Sequence, residues 1–485
     1  MTEDNNSKKC VVIQNGTNTT LAGFNNVDLP QCVIPTVYIQ DNSTQKKIFG
    51  NFELLDIASS RSNDDAGRYE VFTIFDRNGL PYNWDALKEQ WEYIYREVLK
   101  CNSDEYPLVI TIPSANKDVD EIILKKYFEL AFETFNVPVL QIIIEPLAVA
   151  LSLGKSSSLV VNLGASGCNV TPIVDGTVIK HAVMKSKYGG DFLDFQIVNI
   201  LQEKGKLESG NTKDSVDIWF DANTWIKEFK STMLQVTDKP LQDVKRYYQD
   251  QTDMYIKQHE EIQQYNSTVK DTSNASAIAA ASAANKTAID TIKNNNPMRQ
   301  KKHFLVKPLN KTITLEAEDC YELSEYLFQP KLASENFLIE DGLGEIIAKS
   351  VKKAAATVSS IGTSIDGGNM GPSMTSMHKS GNSGSIQGNA TGGATTIKPE
   401  QVYSKLLSNV VITGSCSLID GMEQRILKEL SIRFPQYKLT TYANQNVMDR
   451  KFQGWLGAMT MSNLPSWELG KWYSKQEYEL ERADE

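Results

Sequence analysis

Two stretches of the chain, Val11-Val12-Ile13-Gln14-Asn15-Gly16-Thr17-Asn18 and Val160-Val161-Asn162-Leu163-Gly164-Ala165-Ser166-Gly167, share one pattern. Each is an apolar, β-branched run that stops at a glycine among small polar residues. The chain then resumes as Leu21-Ala22-Gly23-Phe24 or Val170-Thr171-Pro172-Ile173. This pattern predicts a β-hairpin that is used twice. Turns of this kind expose backbone N–H groups, so two of them facing each other across a cleft are able to hold the phosphates of a nucleotide.

Charged side chains are missing from both turns. Neither contains an Asp, Glu, Lys or Arg. Phosphate chemistry needs more than backbone N–H groups, because carboxylates and water hold Mg²⁺ and cations offset the charge of the phosphates. The two hairpins therefore predict a phosphate cradle without catalytic groups.

The composition excludes several classes of protein. At 485 residues, with 41% apolar residues, the chain is long enough for a large two-lobed core. The longest apolar stretch, 137–154, is interrupted by Gln141, Glu145 and Pro146, so it predicts a buried strand followed by a helix and no membrane span. The first residues lack the apolar core of a signal peptide.

The cysteines, histidines and net charge give further expectations. Six cysteines are scattered without paired spacing, which predicts a reducing compartment. The four histidines are not spaced with cysteines as zinc ligands are, so no metal site is predicted. A net charge of −10 disfavours direct nucleic-acid binding, and the short basic runs at 299–302 and 349–353 are interpreted as solvated loop charges.

Two insertions interrupt an otherwise globular pattern. From residue 238 to 296 the sequence is polar and helix-prone, which predicts a protruding helical insertion. From 354 to 396 it is dominated by Gly, Ser, Thr, Asn and Met, which predicts a disordered loop. Elsewhere, β-rich runs such as 106–111 alternate with amphipathic helices such as 118–134, as is typical of an α/β fold.

Several short motifs resemble stretches of actin and the actin-related proteins, in the same order. They are Asn83-Trp84-Asp85, Phe132-Glu133-Thr134-Phe135-Asn136-Val137-Pro138, Leu327-Phe328-Gln329-Pro330 and Tyr473-Ser474-Lys475-Gln476-Glu477-Tyr478. The resemblance runs from about Cys10 to the C-terminus, apart from the two insertions. It implies the two-lobed, duplicated ribonuclease-H-like α/β fold that actins share with hexokinases and the Hsp70 ATPases. The first lobe is then 1–159, completed by 445–485, and the second lobe is 160–444.

The resemblance also implies a pseudo-ATPase, because positions that carry charge or order water in actins are altered here. The replacements are Gln14 for the Asp that holds the magnesium's water shell, Leu21 for a phosphate-binding Lys, Asn162 and Ala165 for two Asp residues, and Asn169 for a His that helps to order the attacking water. Glu145 stands where actins have the water-positioning Gln. One interpretation makes Glu145 a general base toward water. The alternative is that it repels a γ-phosphate or pairs locally.

The nucleoside side of the family's cleft is better retained. Lys230, Gly414 and Lys451 match positions that contact the nucleotide in actins, although Ser231, Ser415 and Ile419 replace three of their neighbours. The resemblance thus implies no required cofactor and leaves weak ATP binding open. The alternative is that the two lysines make interlobe salt bridges.

An apolar groove on the opposite face is the predicted partner site. The residues that match the helix-binding groove of actins, or follow it closely, are Leu151, Gly154, Met461, Leu464, Trp467, Leu469 and Trp472. A helix over 146–153 is predicted to form one wall. The alternative is that these side chains belong to the core. Within the family the chain resembles the fungal nuclear members found in SWI/SNF- and RSC-type chromatin remodellers, where the bound helix is the helicase-SANT-associated segment of the remodeller ATPase and a second actin-related protein binds beside it.

Three functional hypotheses follow from the sequence. The first is a non-catalytic nuclear scaffold subunit of a chromatin remodeller. The second is a weak ATPase that uses nucleotide as a conformational switch. The third is a cytoskeletal protein. One loop argues against this hypothesis, because it is polar and lacks the apolar tip that joins neighbours in a filament: Gln40-Asp41-Asn42-Ser43-Thr44-Gln45. The chain is accordingly not expected to form a homopolymer.

Overall fold

The computed structural model describes residues 9–60, 67–113, 117–207, 214–268, 275–361, 397–464 and 471–483. Two six-stranded sheets organise these residues, one in each lobe. In chain order the strands are β1 (Val11–Asn15), β2 (Thr19–Phe24), β3 (Cys32–Pro35), β4 (Val37–Asp41), β5 (Lys46–Ile48), β6 (Tyr69–Thr73), β7 (Leu108–Ile112), β8 (Val139–Ile144), β9 (Ser158–Leu163), β10 (Cys168–Val174), β11 (Thr177–Val178), β12 (Met184–Ser186), β13 (Lys301–Val306), β14 (Lys311–Glu316), β15 (Val410–Thr413), β16 (Thr441–Tyr442) and β17 (Trp472–Ser474).

Helices pack around these sheets, and π-helical segments at Ile94–Leu99 and Glu129–Thr134 extend α2 and α3. The α-helices are α1 (Asn51–Ser60), α2 (Trp84–Tyr93), α3 (Lys117–Phe128), α4 (Glu145–Ser152), α5 (Gly190–Glu203), α6 (Ser215–Asn223), α7 (Trp225–Met233), α8 (Leu241–Thr268), α9 (Ala275–Asn295), α10 (Ala317–Glu325), α11 (Leu343–Ile361), α12 (Pro399–Leu407), α13 (Met422–Arg433), α14 (Val447–Lys451), α15 (Gln453–Ser462) and α16 (Lys475–Ala483). No helix in the described ranges is long and apolar enough to cross a membrane.

The two main sheets repeat one arrangement. In the first sheet the order is β17-β8-β7-β1-β2-β3, with β1 parallel to β7 and antiparallel to β2. In the second sheet the order is β11-β10-β9-β15-β16, with β9 parallel to β15 and antiparallel to β10, which also pairs with β12. Each lobe thus consists of a hairpin extended by parallel strands, and the predicted duplicated α/β fold is confirmed.

The two predicted hairpins are also confirmed, and their registers match. Gln14 lies opposite Leu21 in the first hairpin, and Asn162 lies opposite Asn169 in the second. Each turn closes with the same backbone bond, from Gly16 N–H to the Thr19 carbonyl and from Gly164 N–H to the Gly167 carbonyl, both at 3.0 Å. Because the side-chain period of a strand is two, matched registers give Gln14 and Asn162 equivalent places in the two lobes.

Helices α4 and α15 form the hinge between the lobes. The chain passes from β8 of the first sheet through α4 to β9 of the second. α15 packs on α4 and also contacts β1 and β7. The two helices approach closely at Gly457, where an added Cβ would lie 2.5 Å from the Ala148 backbone, so only glycine fits there.

The first insertion is helical as predicted, whereas the second begins later in the chain than predicted. The segment 238–296 contains two helices that pack on each other, α8 and α9, and Lys245 of α8 is ion-paired to Glu318 of α10 at 2.7 Å. The predicted loop start at residue 354 is wrong. Helix α11 continues to Ile361 and buries Ala354, Ala355 and Val358, because its Ala- and Val-bearing face packs on the second lobe's core. The rest of the predicted loop, 362–396, lies outside the described residues.

The revised boundary yields a stability prediction. Replacing 362–396 with a short Gly/Ser linker is expected to leave the melting temperature nearly unchanged, because the removed sequence has few apolar residues to bury. Replacing 354–396 instead removes the buried Ala354, Ala355 and Val358 and is expected to cost about 2 kcal/mol or more. Urea denaturation of the two variants measures the difference. Equal stability of both variants would contradict the boundary.

Candidate functional site

The two hairpin turns line one cleft between the lobes, as the sequence predicted. The cleft contains a cavity of about 160 Å³. Typical small-molecule sites have about 300–1,000 Å³. Side chains and backbone from both lobes therefore already occupy much of the space between the turns. The lining includes Gln14–Asn18 of the first hairpin, Gly164–Gly167 of the second, Glu145, Thr413–Ser415, Lys451 and Gly454.

A carboxylate with an amide on each side lies at the centre of this cleft. Asn162 Nδ2 donates a hydrogen bond to Glu145 Oε1 at 3.0 Å, and the side-chain amide of Gln14 lies beside the same carboxyl group. Gln14 and Asn162 occupy equivalent positions of the two hairpins, so each lobe contributes one amide to the same carboxyl group. We call this arrangement the Gln14–Glu145–Asn162 bridge. Burial raises the pKa of Glu145, and the two amide donors oppose that rise.

Two glycines allow the bridge to close. The Cα of Gly454, at the start of α15, packs against Gln14 and Glu145, where a side chain would overlap both. Gly414 has φ +89°, and an added Cβ would lie 2.5 Å from Asn162 Oδ1 and from the Leu163 carbonyl oxygen. A larger residue at either position would displace one side of the bridge, which explains why glycine stands at both.

The structure separates the three predicted nucleoside contacts. Gly414 and Lys451 line the cavity, whereas Lys230 is absent from its lining. Lys230 Nζ pairs with Asp194 of α5 at 2.6 Å and reaches the Gly190 carbonyl at 3.3 Å. Burial lowers the pKa of Lys230, but Asp194, Cys416 and Asp191 together raise it above its ordinary value; burial also raises the pKa of Asp194 to about 6. The interlobe salt bridge suggested for Lys230 is wrong, because its partner lies in the same lobe.

Among the described residues that line the cavity, Lys451 is the one with a cationic side chain. Burial lowers its pKa, and the nearby Lys227 lowers it further. Within the described ranges, no carboxylate lies in ion-pair distance of Lys451 Nζ. The side of the cleft next to Gly414 is thus electropositive, which suits an anionic or electron-rich ligand group.

The geometry bears on the two interpretations of Glu145. Its carboxyl group is engaged by Gln14 and Asn162, so the arrangement fits local pairing better than a base aimed at a free water. The sequence pointed to Gln14, Glu145 and Asn162 separately, but it did not show that their side chains meet in the cleft. The available signal was the identical hairpin register, which places Gln14 and Asn162 at equivalent positions. No group of three His, Cys, Asp or Glu side chains in the described ranges is arranged to hold a metal ion.

The predicted partner groove lies at the far ends of the hinge helices. Leu151, at the end of α4, is half-buried, and Leu464, just after α15, is 40% exposed. Gly154 has φ +65° and faces open space, since an added Cβ there would meet no atom within 4 Å. Trp472 of β17 is half-buried and pairs with Gln141 of β8. Met461 is buried at 4% exposure, because its face of α15 packs on the core, so it supports the groove and does not line it. Trp467 and Leu469 lie outside the described residues.

Comparison with known proteins covers nearly the whole chain. A family model described as actin matches residues 5–484. The chain is 53% identical to actin-related protein 7 of Saccharomyces cerevisiae, with 99% of this chain and 97% of the relative covered. It is 24% identical to actin-related protein 4 of Debaryomyces hansenii and of Schizosaccharomyces pombe, in each case with 98% of this chain and 95% of the relative covered. These matches confirm the family resemblance that the motifs indicated.

The bridge predicts a pH-dependent stability difference. Since the folded pKa of Glu145 is raised above its ordinary value of 4.5, its contribution to stability is complete below that value and is lost as the pH rises through the folded pKa. Glu145→Gln removes this titration, so the stability of the wild type relative to Glu145→Gln is expected to fall as the pH rises. Glu145→Ala leaves the Asn162 amide without its acceptor and is expected to cost about 1–3 kcal/mol at low pH. Because Ala does not titrate either, this cost is expected to shrink as the pH rises. Urea denaturation over a pH series measures both effects. A difference between wild type and Glu145→Gln that does not change with pH would contradict the assignment.

Proposed function

The chain belongs to the actin family, and we propose that it is a non-catalytic structural subunit of a chromatin-remodelling complex. In this proposal it acts in the nucleus and binds the helicase-SANT-associated helix of a remodeller ATPase. A second actin-related protein binds the same helix beside it. The similarity to actin-related protein 7 over almost the entire chain supports an actin-related subunit. The neutral amides around Glu145 in the cleft support the non-catalytic role.

The Gln14–Glu145–Asn162 bridge is the observation that carries the proposal. A hydrolytic site for a nucleoside triphosphate needs Mg²⁺, carboxylates that hold its water shell, and cations beside the phosphates. Between the hairpins this chain has two neutral amides engaged with a carboxyl group. When ionised, that group would repel a γ-phosphate. Binding of a triphosphate there would also break the Asn162–Glu145 hydrogen bond, which joins the lobes.

The groove supports the binding role. A docked helix is anchored by a few apolar side chains that fit between neighbouring elements. Leu151 and Trp472 pack against one apolar cluster that includes Met461, and the exposed Leu464 follows the end of α15. In this proposal the docked helix contacts the end of α4, the residues just after α15 and β17.

A second candidate function is a nucleotide-binding switch without hydrolysis. Lys451 and Gly414 favour it, since both line the cleft and Lys451 has no described acidic partner. A filament-forming role has less support. The turn after β4 is held by polar contacts, with the Asp41 carboxylate accepting from Ser43 N–H at 2.9 Å and pairing with Arg68 at 3.1 Å.

Helix capture is the first prediction of this proposal. Leu464→Asp is expected to abolish co-purification with the helicase-SANT-associated helix and the second actin-related protein, because it places a charge on an apolar contact surface. Trp472→Ala is expected to weaken capture as well. Leu480→Asp, at another exposed leucine on α16, is the matched control and should bind normally. Gln14→Ala and Asn162→Ala should also keep the partners.

Circular dichroism of each variant checks that the fold is intact. If the two hairpin variants lose the partners and Leu464→Asp keeps them, binding is organised around the nucleotide cleft and the groove assignment is wrong.

The second prediction of this proposal concerns ATP hydrolysis. With Gln14, Leu21, Asn162 and Ala165 at the phosphate positions, ATP hydrolysis by the purified protein is expected at background level. Each lost charge-stabilising group typically costs about 3–4 kcal/mol of transition-state stabilisation. A coupled phosphate-release assay with and without Mg²⁺ measures it. Turnover that requires Mg²⁺ and disappears in Glu145→Gln would establish the catalytic interpretation of Glu145 instead.

A further inference from the structure

Helix α6 follows the second hairpin in the chain but packs on the first lobe. It contacts the small sheet formed by β5, β4 and β6. Val216 is fully buried and Trp219 is 8% exposed, in one apolar cluster with Val37, Ile39 and Leu54 of the first lobe. Because side chains alternate along a strand, Val37 and Ile39 share one face of β4, and helices α1 and α6 cover that face.

A hydrogen bond also ties α6 to the edge of the small sheet. Ser215 Oγ accepts from the backbone N–H of Val71 in β6 at 3.0 Å. The Asp214 carboxylate caps the helix by accepting from Val216 N–H at 3.0 Å and Asp217 N–H at 2.9 Å. The first turn of α6 is therefore fixed where it meets the edge strand.

The other end of α6 is joined firmly to the second lobe. Trp225 Nε1, at the start of α7, donates to Asp221 Oδ1 at 2.8 Å, and Thr224 N–H donates to the Phe220 carbonyl at 3.0 Å. The Trp225 ring is buried in the core of the second lobe. α6 cannot leave the small sheet while keeping these contacts unless the two lobes move apart.

From these contacts we propose that α6 is an interlobe clasp, which holds the mouth of the cleft closed without a nucleotide. The apolar cluster around Trp219 supplies the attraction, and the Asp221–Trp225 contact transmits it to the second lobe. Release of α6 exposes Val37 and Ile39 and opens the cleft. This inference concerns the conformation of the chain and does not depend on which partner the groove binds.

Hydrogen exchange of the full chain tests the clasp. Trp219→Ala removes the largest side chain of the cluster, and Ile218→Ala, at the exposed neighbour on the same helix (59% exposed), is the matched control. In Trp219→Ala, amides of β4, β6 and both hairpin turns are expected to exchange faster by on the order of 100-fold, the loss expected for a buried tryptophan. Small-angle scattering should show a larger radius of gyration. Ile218→Ala should change neither.

Two milder variants keep the test informative if Trp219→Ala does not fold. Trp219→Phe and Ser215→Ala are expected to accelerate exchange in β6 and in the hairpin turns by smaller factors, in the same pattern. The proposal is overturned if any folded variant accelerates exchange in α6 alone, with the hairpin turns and the radius of gyration unchanged. In that case α6 is a local packing element and the lobes close by other contacts.

Discussion

The hydrogen bond from Asn162 of the second hairpin to the carboxyl group of Glu145, with the Gln14 amide of the first hairpin beside it, joins the two lobes at the centre of the cleft. In a nucleotide-binding member of this fold the hairpins face phosphates and Mg²⁺, which need charged protein groups around them. Here Gln14 and Asn162 are neutral and engage a side chain of the protein itself. The close packing of Gly454 and Gly414 and the small cavity follow from the same constraint, since the bridge closes only if the surrounding backbone approaches it.

The bridge and the predicted partner groove lie at opposite ends of the same two helices. α4 begins at Glu145 and leads to Leu151, while α15 begins beside Gly454 and leads to Leu464. The close contact between Gly457 and Ala148 holds these helices together along their length. Fixing one end of a tightly packed helix pair limits movement at the other end. The contact between α4 and α15 thus couples the cleft to the predicted partner groove.

Local sequence patterns predicted the duplicated hairpins, the strand-to-helix passage at 137–154 and the helical insertion, because each depends on the residues of its own segment. The predictions that were wrong or incomplete concern contacts between segments far apart in the sequence. The residues after Ala354 adjoin a Gly-, Ser- and Thr-rich segment, and composition assigns them to it, yet their Ala and Val side chains continue α11 and pack on the second lobe's core. Met461 matches a groove position, but its face of α15 points to the core. Two further contacts join separate segments: the Lys230–Asp194 ion pair and the Gln14–Glu145–Asn162 bridge. Neither contact is visible in the sequence of one segment alone.

We propose that contacts within the protein, and not a nucleotide, hold the lobes together. Pulsed electron paramagnetic resonance measures this directly, with spin labels at the exposed Thr44 of the first lobe and the exposed Asn310 of the second, and with the partly exposed Cys101 replaced by serine. We expect one narrow distance distribution after all nucleotide is removed, unchanged when Mg²⁺ and ATP are added. A broad distribution in the nucleotide-free protein that narrows on addition of Mg²⁺ and ATP would contradict it.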